Sequence, residues 1–429
     1  MLNQLDLRGI PISSLREGLP RPVVDGAEPD DAVKQIIADV RATGDAALRD
    51  YAARFDGGAP DDFRVRQADL DSALDRMPSD LRAALELAAD NISAFHETQR
   101  HAPHHHVQRG ITIEGIQQPV DRAGCYVPGG RAAYPSTVLM TAIPAKIAGV
   151  PEVCLCVPPA ADRLIADVTL AAAKLAGVDE VYAVGGAQAI AALAYGTDSI
   201  PAVDVIAGPG NIYVAIAKRE VAGDVGVAAA FAGPSEIVVV ADHTAPVNFA
   251  AIDLVVQAEH GPGGLAWLLT WDEAVAQAVT TEVGRLAGSS PRRDDIAATL
   301  SAGGYAVLVD GPEAAIAVAN EIAPEHLQLL TDNPRELADS VRHAGAVFCG
   351  ALSPASVGDY VAGPSHVLPT NGTARFAGAL TVADFCKDIH IITLDQAALD
   401  GIADEVATLA EAEGLTAHAE SVRIRKSAT

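Results

Sequence analysis

Aromatic residues make up only 4% of this 429-residue chain. No apolar run reaches membrane-spanning length, because Pro, Gly, Lys or Asp interrupts each one. Positive charge is also scarce, with 30 Lys and Arg against 56 Asp and Glu and a formal net charge of −26. A surface so acidic repels phosphate backbones and anionic lipid, which excludes nucleic acid and membrane as partners. The start, Met1 to Asp6, lacks a basic stretch followed by an apolar core, so no export signal is expected. Cysteine numbers five, and Cys154 and Cys156 are one residue apart, not the two of a zinc-thiolate pair. That usage suits a reducing, cytoplasmic setting. No GxGxxG occurs, and His96-Glu97 has no second histidine at the zinc-protease spacing.

What is present is Ala, Gly and Val within a 49% hydrophobic composition, enough for roughly two to four domains. Apolar spacing predicts helices over Asp31–Thr43, Gly44–Phe55, Gln67–Met77 and Pro78–Thr98, then short strands at Ile111–Ile113 and Ala123–Val127. From Gly149 strands and helices alternate: Val153–Val157, Leu164–Leu175, Glu180–Val184, Ala187–Tyr195, Val203–Ala207 and Tyr213–Val221. A second alternation runs from Glu236–Ala241 to Ala346–Phe348. The pattern predicts an α/β fold, with two similar Rossmann-like α/β domains, a helical N-terminal region and a C-terminal helical tail. The Gly/Pro/Ser-rich stretch from Cys349 to about Gly378 reads as an active-site loop.

Four scattered segments carry chemistry. Gln257 and His260 lie one turn apart at the end of an apolar helix stopped by Gly261-Pro262-Gly263-Gly264, where exposed carbonyls favour a cation. Glu325-His326 supplies a carboxylate and an imidazole able to act as acid and base near neutral pH. Asp359, followed by His366, offers a ligand that would offset the charge of a divalent metal, and His418 is an imidazole in the tail. Each has a plain structural reading in isolation: a helix-terminal His, a surface Glu-His pair, a turn-capping Asp, a solvated tail residue. The tract His101 to His106 reads as a polar surface loop. Three glycine-bearing turns, at Tyr126–Gly130, Gly185–Gln188 and Gly208–Asn211, present bare backbone near helix starts, suited to a diphosphate or ribose or to tight structural turns.

Together these blocks resemble the histidinol dehydrogenase family. The resemblance is carried by Tyr126–Gly130, Pro135–Met140, Gly185–Ile190, Gly208–Asn211, Ala232–Glu236, Gln257–His260, Pro324–His326 and Leu415–His418. It implies oxidation of L-histidinol to L-histidine through L-histidinaldehyde, with Zn2+ and two NAD+. Carried over position by position, it implies zinc ligands Gln257, His260, Asp359 and His418, the last from the partner in a homodimer with exchanged tails. Glu325 and His326 match the acid/base pair, and Tyr126, Gln188 and Asn211 the NAD contacts. Ser235, His366 and Glu413 match substrate contacts, joined around the substrate by His326 and the four metal ligands. The division expected is 1–24, packing with the tail; 25–125 plus 236–381, a larger domain holding the metal and acid/base residues; 126–235, an inserted NAD-binding domain; and 382–429, a dimerisation arm. Two rivals are a related metal-dependent alcohol dehydrogenase acting on another small polar alcohol, and a two-domain binding protein without catalysis.

Overall fold

Runs such as Val153–Val157 and Ile237–Ala241 are apolar without alternation, and they become strands buried on both faces. The computed structural model describes residues 2–20, 29–129, 132–160, 164–228, 235–259, 261 and 263–426. In chain order the strands are β1 (Asn3–Asp6), β2 (His104–Gln108), β3 (Ile111–Pro119), β4 (Arg122–Tyr126), β5 (Glu152–Val157), β6 (Glu180–Ala183) and β7 (Val205–Ala207). They continue as β8 (Gly226–Val227), β9 (Glu236–Ala241), β10 (Leu265–Thr270), β11 (Gly304–Leu308), β12 (His326–Leu330), β13 (Ala346–Cys349) and β14 (Cys386–Leu394).

Two parallel sheets result, as the α/β reading expects. One has the order β6-β5-β4-β7-β8 and the other β1-β11-β10-β9-β12-β13. In each, the strand order reverses beside a central strand, β4 or β9, the doubly wound arrangement that opens a crevice at a sheet edge. Apolar cores lie on both faces of both sheets.

The N-terminal helices form where their apolar spacing predicts. In Asp30–Thr43 the stripe Val33, Ile36, Ile37 and Val40 is buried. Their destination differs from expectation. Asp30–Thr43 packs on Gly186–Tyr195 and Ile212–Val221, and Ser79–Glu97 packs on Pro135–Ala148, so they cover the five-stranded sheet, not the larger domain. An amphipathic stripe requires a core but does not say which one. Likewise residues 3–6, expected to pack with the tail, add a parallel edge strand beside β11.

Antiparallel β14-β3-β2 form a third sheet, which joins the first third of the chain to the arm. His104 to His106, expected in a loop, lie in β2 and are exposed along its whole length, so no alternation marks them. The stretch after Cys349 contains a helix, Ala355–Tyr360, and a further helix, Arg293–Gly303, was not anticipated.

At the N-terminal edge of the five-stranded sheet, Arg122 is 8% exposed and its guanidinium bonds both Glu152 and Glu180. Glu180 also pairs with Arg64 at 3.0 Å and accepts from the Tyr182 hydroxyl at 2.8 Å. Removing one member of a buried ion pair strands the other. Arg122→Met is expected to cost roughly 3 kcal/mol of stability, read from the denaturant midpoint; a loss below about 1 kcal/mol would mean that water replaces the guanidinium.

Candidate active site

The carboxyl ends of β4, β6 and β7 bring the three glycine-bearing turns together. Tyr126, 3% exposed, closes β4, and its hydroxyl accepts from the Gly186 amide at 3.1 Å. Burial pushes that phenol up to about 12. Gln188 is buried one turn into the next helix and folds back over Gly186. Gly208 has φ +111°, and a Cβ there would lie 2.0 Å from the Tyr126 carbonyl oxygen, so only glycine fits between these turns. Asn211 is exposed, and its side chain accepts from Val214 N at 3.1 Å to cap the helix Ile212–Val221. Tyr126, Gln188 and Asn211 thus stand on one edge. Gly130 lies outside the described residues.

The acid/base residues use the opposite edge of the other sheet. Glu236 opens β9 and His326 opens β12, with His326 paired to Ile237 in register. The preceding helix, Pro312–Ile322, ends on Ala323 at φ 54°, a left-handed conformation that is costly for a residue with a Cβ. Pro324 follows at once, and the turn delivers Glu325 and His326 to the start of β12. Glu325 Oε2 accepts from both the Ser235 hydroxyl and the Glu236 amide, the latter at 3.1 Å.

His326 is 5% exposed. Its Nδ1 lies 3.3 Å from the Glu236 carbonyl oxygen and 3.7 Å from Glu325 Oε2, and its Nε2 lies 3.4 Å from Asp359 Oδ1. Donation from Nδ1 to the carbonyl leaves Nε2 as the basic nitrogen of the neutral ring. Burial alone would lower this imidazole, but Glu325 and Asp359 overcome it and raise it to about 9. His366 continues the chain of contacts. Its Nδ1 meets the Asp359 carbonyl oxygen at 2.9 Å, and its Nε2 meets the Thr137 hydroxyl at 3.1 Å. Burial pulls His366 below its ordinary value.

Thr137 lies in the helix Pro135–Ala148, which follows the Tyr126 turn in the chain. The string Thr137, His366, Asp359, His326, Glu325 and Ser235 therefore connects the carboxyl edge of one sheet to the amino edge of the other.

Of the four expected metal ligands, Gln257 is buried in the last turn of Val247–Ala258, and Asp359 joins the cluster just described. The strand that follows that helix, β10, begins beside the cluster, since Leu265 N donates to the Ser235 carbonyl at 3.1 Å. His260 lies outside the described residues. His418 and Glu413 are exposed in the tail, where Ala419 packs with Ala407 and Ala410. Among the described residues no group of three or more His, Cys, Asp or Glu could hold a metal ion. Carboxylate and imidazole are donors of the kind a divalent zinc takes, so the residue types expected here fit that ion.

Sequence reasoning missed several contributors. Glu236 and Thr137 act through contacts that only the fold creates. Asp253, one turn before Gln257, is 8% exposed, and burial raises it to about 6. Its signal was available: a lone acid within the otherwise apolar run Phe249–Val256. The cysteines take no part; Cys125, Cys154 and Cys156 are fully buried, and burial raises each thiol.

Two carboxylates around one imidazole make a measurable prediction for the metal-free protein. The His326 ring should titrate by NMR near pH 9, holding its proton through neutrality. Glu325→Gln removes one of the carboxylates that raise it and should move that midpoint down by about one unit or more. An unmoved midpoint would remove Glu325 as the cause.

Comparison with known proteins establishes the family. Residues 19–426 match the family model for histidinol dehydrogenase. A histidinol dehydrogenase from Synechococcus sp. is 49% identical over 400 residues, covering 92% of each chain. One from Bordetella parapertussis is 46% identical over 433 residues, 99% of this chain and 97% of the relative. The crystal structure of histidinol dehydrogenase from Elizabethkingia anophelis superposes with a TM-score of 0.93 at 35% identity, covering 99% of this chain and 98% of that one. With the fold, the order of the motifs and near-complete coverage in agreement, this chain belongs to the histidinol dehydrogenase family.

Proposed function

We propose that the chain oxidises L-histidinol to L-histidine through L-histidinaldehyde, using two NAD+ and one Zn2+ per subunit, in the cytoplasm. The observation that carries the reading is the buried Glu325–His326 pair, tied through Asp359, His366 and Thr137 to the edge bearing Tyr126, Gln188 and Asn211. A ligand held at that carboxyl edge would face the acid/base pair, and carboxyl edges at a strand-order reversal are where dinucleotides bind.

Gln257, His260 and Asp359 of one chain, with His418 from a second copy, would hold the zinc. When bound, it supplies positive charge and a template for the substrate amine and imidazole. His326 Nε2 removes the hydroxyl proton as hydride leaves the carbinol carbon for the nicotinamide. Asp359, if it held a cation, would lend less of its negative charge to His326, and the ring could then act as a base near neutrality. Glu325, steered by Ser235 and the Glu236 amide, draws the proton from the water that adds to the aldehyde. A second hydride leaves the hydrate and yields the carboxylate. Across both steps one alcohol, one water and two NAD+ give one carboxylate, two NADH and three protons. Ser235, His366 and, from the tail, Glu413 contact the substrate.

Under this reading the NAD-binding unit is the five-stranded sheet with its covering helices, the unit of the six-stranded sheet holds Glu325, His326, Gln257 and Asp359, and an arm runs from 382. Leu409, Leu415 and Ile424 are exposed beside His418 on that arm, which supports burial against a second copy.

NADH formation on adding L-histidinol, lost on chelation and restored by zinc, tests the activity directly. His326→Asn is expected to slow the first oxidation by about 10²–10⁴-fold while sparing histidinaldehyde oxidation, and Glu325→Gln the reverse. Equal effects on both steps would overturn the division of roles. Exchange of tails has its own test. Mixing His418→Asn and Glu325→Gln chains, neither of which is expected to form L-histidine alone, should restore about a quarter of the wild-type rate of L-histidine formation under subunit exchange, since one site in half of the dimers is then complete. No recovery would place His418 in its own chain's site.

A further inference from the structure

Lys218 is a buried cation that the chemistry above does not use. It lies on the helix Ile212–Val221, two turns after Asn211, and is only 3% exposed. Side chains on a helix lean toward its N-terminus. That direction carries the Lys218 ammonium back beneath the turn that starts the helix. There it donates to the Gly208 carbonyl oxygen at 2.9 Å and to the Ala228 carbonyl oxygen at 3.3 Å. Gly208 follows β7 by one residue and Ala228 follows β8 by one, so a single ammonium ties together the exits of two neighbouring parallel strands. The Gly208 carbonyl belongs to the turn that also presses on the Tyr126 carbonyl. Ser235, which donates to Glu325, lies seven residues beyond Ala228 in the chain.

Burial draws the ammonium down to about 8, so it remains protonated at neutral pH. A lysine desolvated to this degree is costly unless its donors are engaged. The two carbonyls provide that engagement, and the charge sits under a turn suited to a diphosphate in a chain of net charge −26.

We propose that Lys218 is a positioning residue for the dinucleotide: it clamps Gly208 to Ala228, holds the Gly208–Asn211 turn open toward the ligand, and sets a positive charge beneath the diphosphate. The role rests on the NAD+ reading above. It acts on the cofactor and not on the alcohol, so its loss weakens NAD+ binding selectively.

The test compares wild type with Lys218→Met, which keeps the length and removes the charge and donors, and Lys218→Gln, which keeps an amide donor without the charge. NAD+ binding is measured directly by titration of the zinc-loaded protein, and kcat and the two KM values come from steady-state assays. Lys218→Met should raise the Kd and KM for NAD+ about tenfold. The KM for L-histidinol, kcat at saturating NAD+ and zinc content should stay within twofold. Lys218→Gln should fall between, with a rise of about threefold. If the Met chain does not fold, the Gln chain decides, and an unchanged Kd for NAD+ overturns the role. Equal losses in both KM values and kcat would overturn it in favour of a general structural role. A wild type that binds no NAD+ would overturn the cofactor reading and this role together; binding that is normal in wild type and unaltered in the variants would overturn this role alone.

Discussion

Burial of one imidazole between two carboxylates is the constraint on which the rest of this structure depends. Neither Glu325 nor Asp359 can sit beside His326 in a nearly dry site unless other groups take up their remaining lone pairs. Glu325 meets that condition through the Ser235 hydroxyl and the Glu236 amide. Because these groups come from the amino ends of β9 and β12, the site lies at the less usual edge of a doubly wound sheet. The carboxyl edge of the other sheet approaches it through Thr137 and His366. Two sheets of similar topology thus meet through opposite ends, the carboxyl edge that bears Tyr126, Gln188 and Asn211 and the amino edge that bears Glu325 and His326.

Much of the architecture was legible because the central strands are buried on both faces. Val153–Val157 and Ile237–Ala241 could be read from unbroken apolar runs, and helices such as Asp30–Thr43 from their stripes. What escaped notice lacks burial. Strand β2 is exposed throughout and β14 nearly so, and their order comes from ladder hydrogen bonds to β3, which leave no mark in side-chain type. Strand β1 owes its place to a partner some three hundred residues away. Choosing which sheet the N-terminal helices cover is a question of long-range packing that local periodicity cannot answer.

The site divides in the same way. Glu325, His326, Asp359 and His366 were named from residue type and neighbours and Ser235 from the family resemblance, and they meet in space. Tyr126, Gln188 and Asn211 gather on one edge. Residues acting through backbone geometry or through a non-local hydroxyl, Glu236 and Thr137, were invisible until the fold joined them. Asp253 was visible as a lone acid in an apolar run, whereas nothing local distinguished Lys218 from a snorkelling surface lysine.

The placement of β1 has a consequence for biogenesis. The five-stranded sheet draws its strands from residues 122 to 227 and can form its ladder once that portion has left the ribosome, while one face of its core is completed only by Val367, Leu380 and Phe385. The six-stranded sheet cannot, because its first strand must wait unpaired until β11 has been synthesised. Strand β1 therefore stays without its ladder partner until some three hundred further residues have been made, and the six-stranded sheet closes late in synthesis.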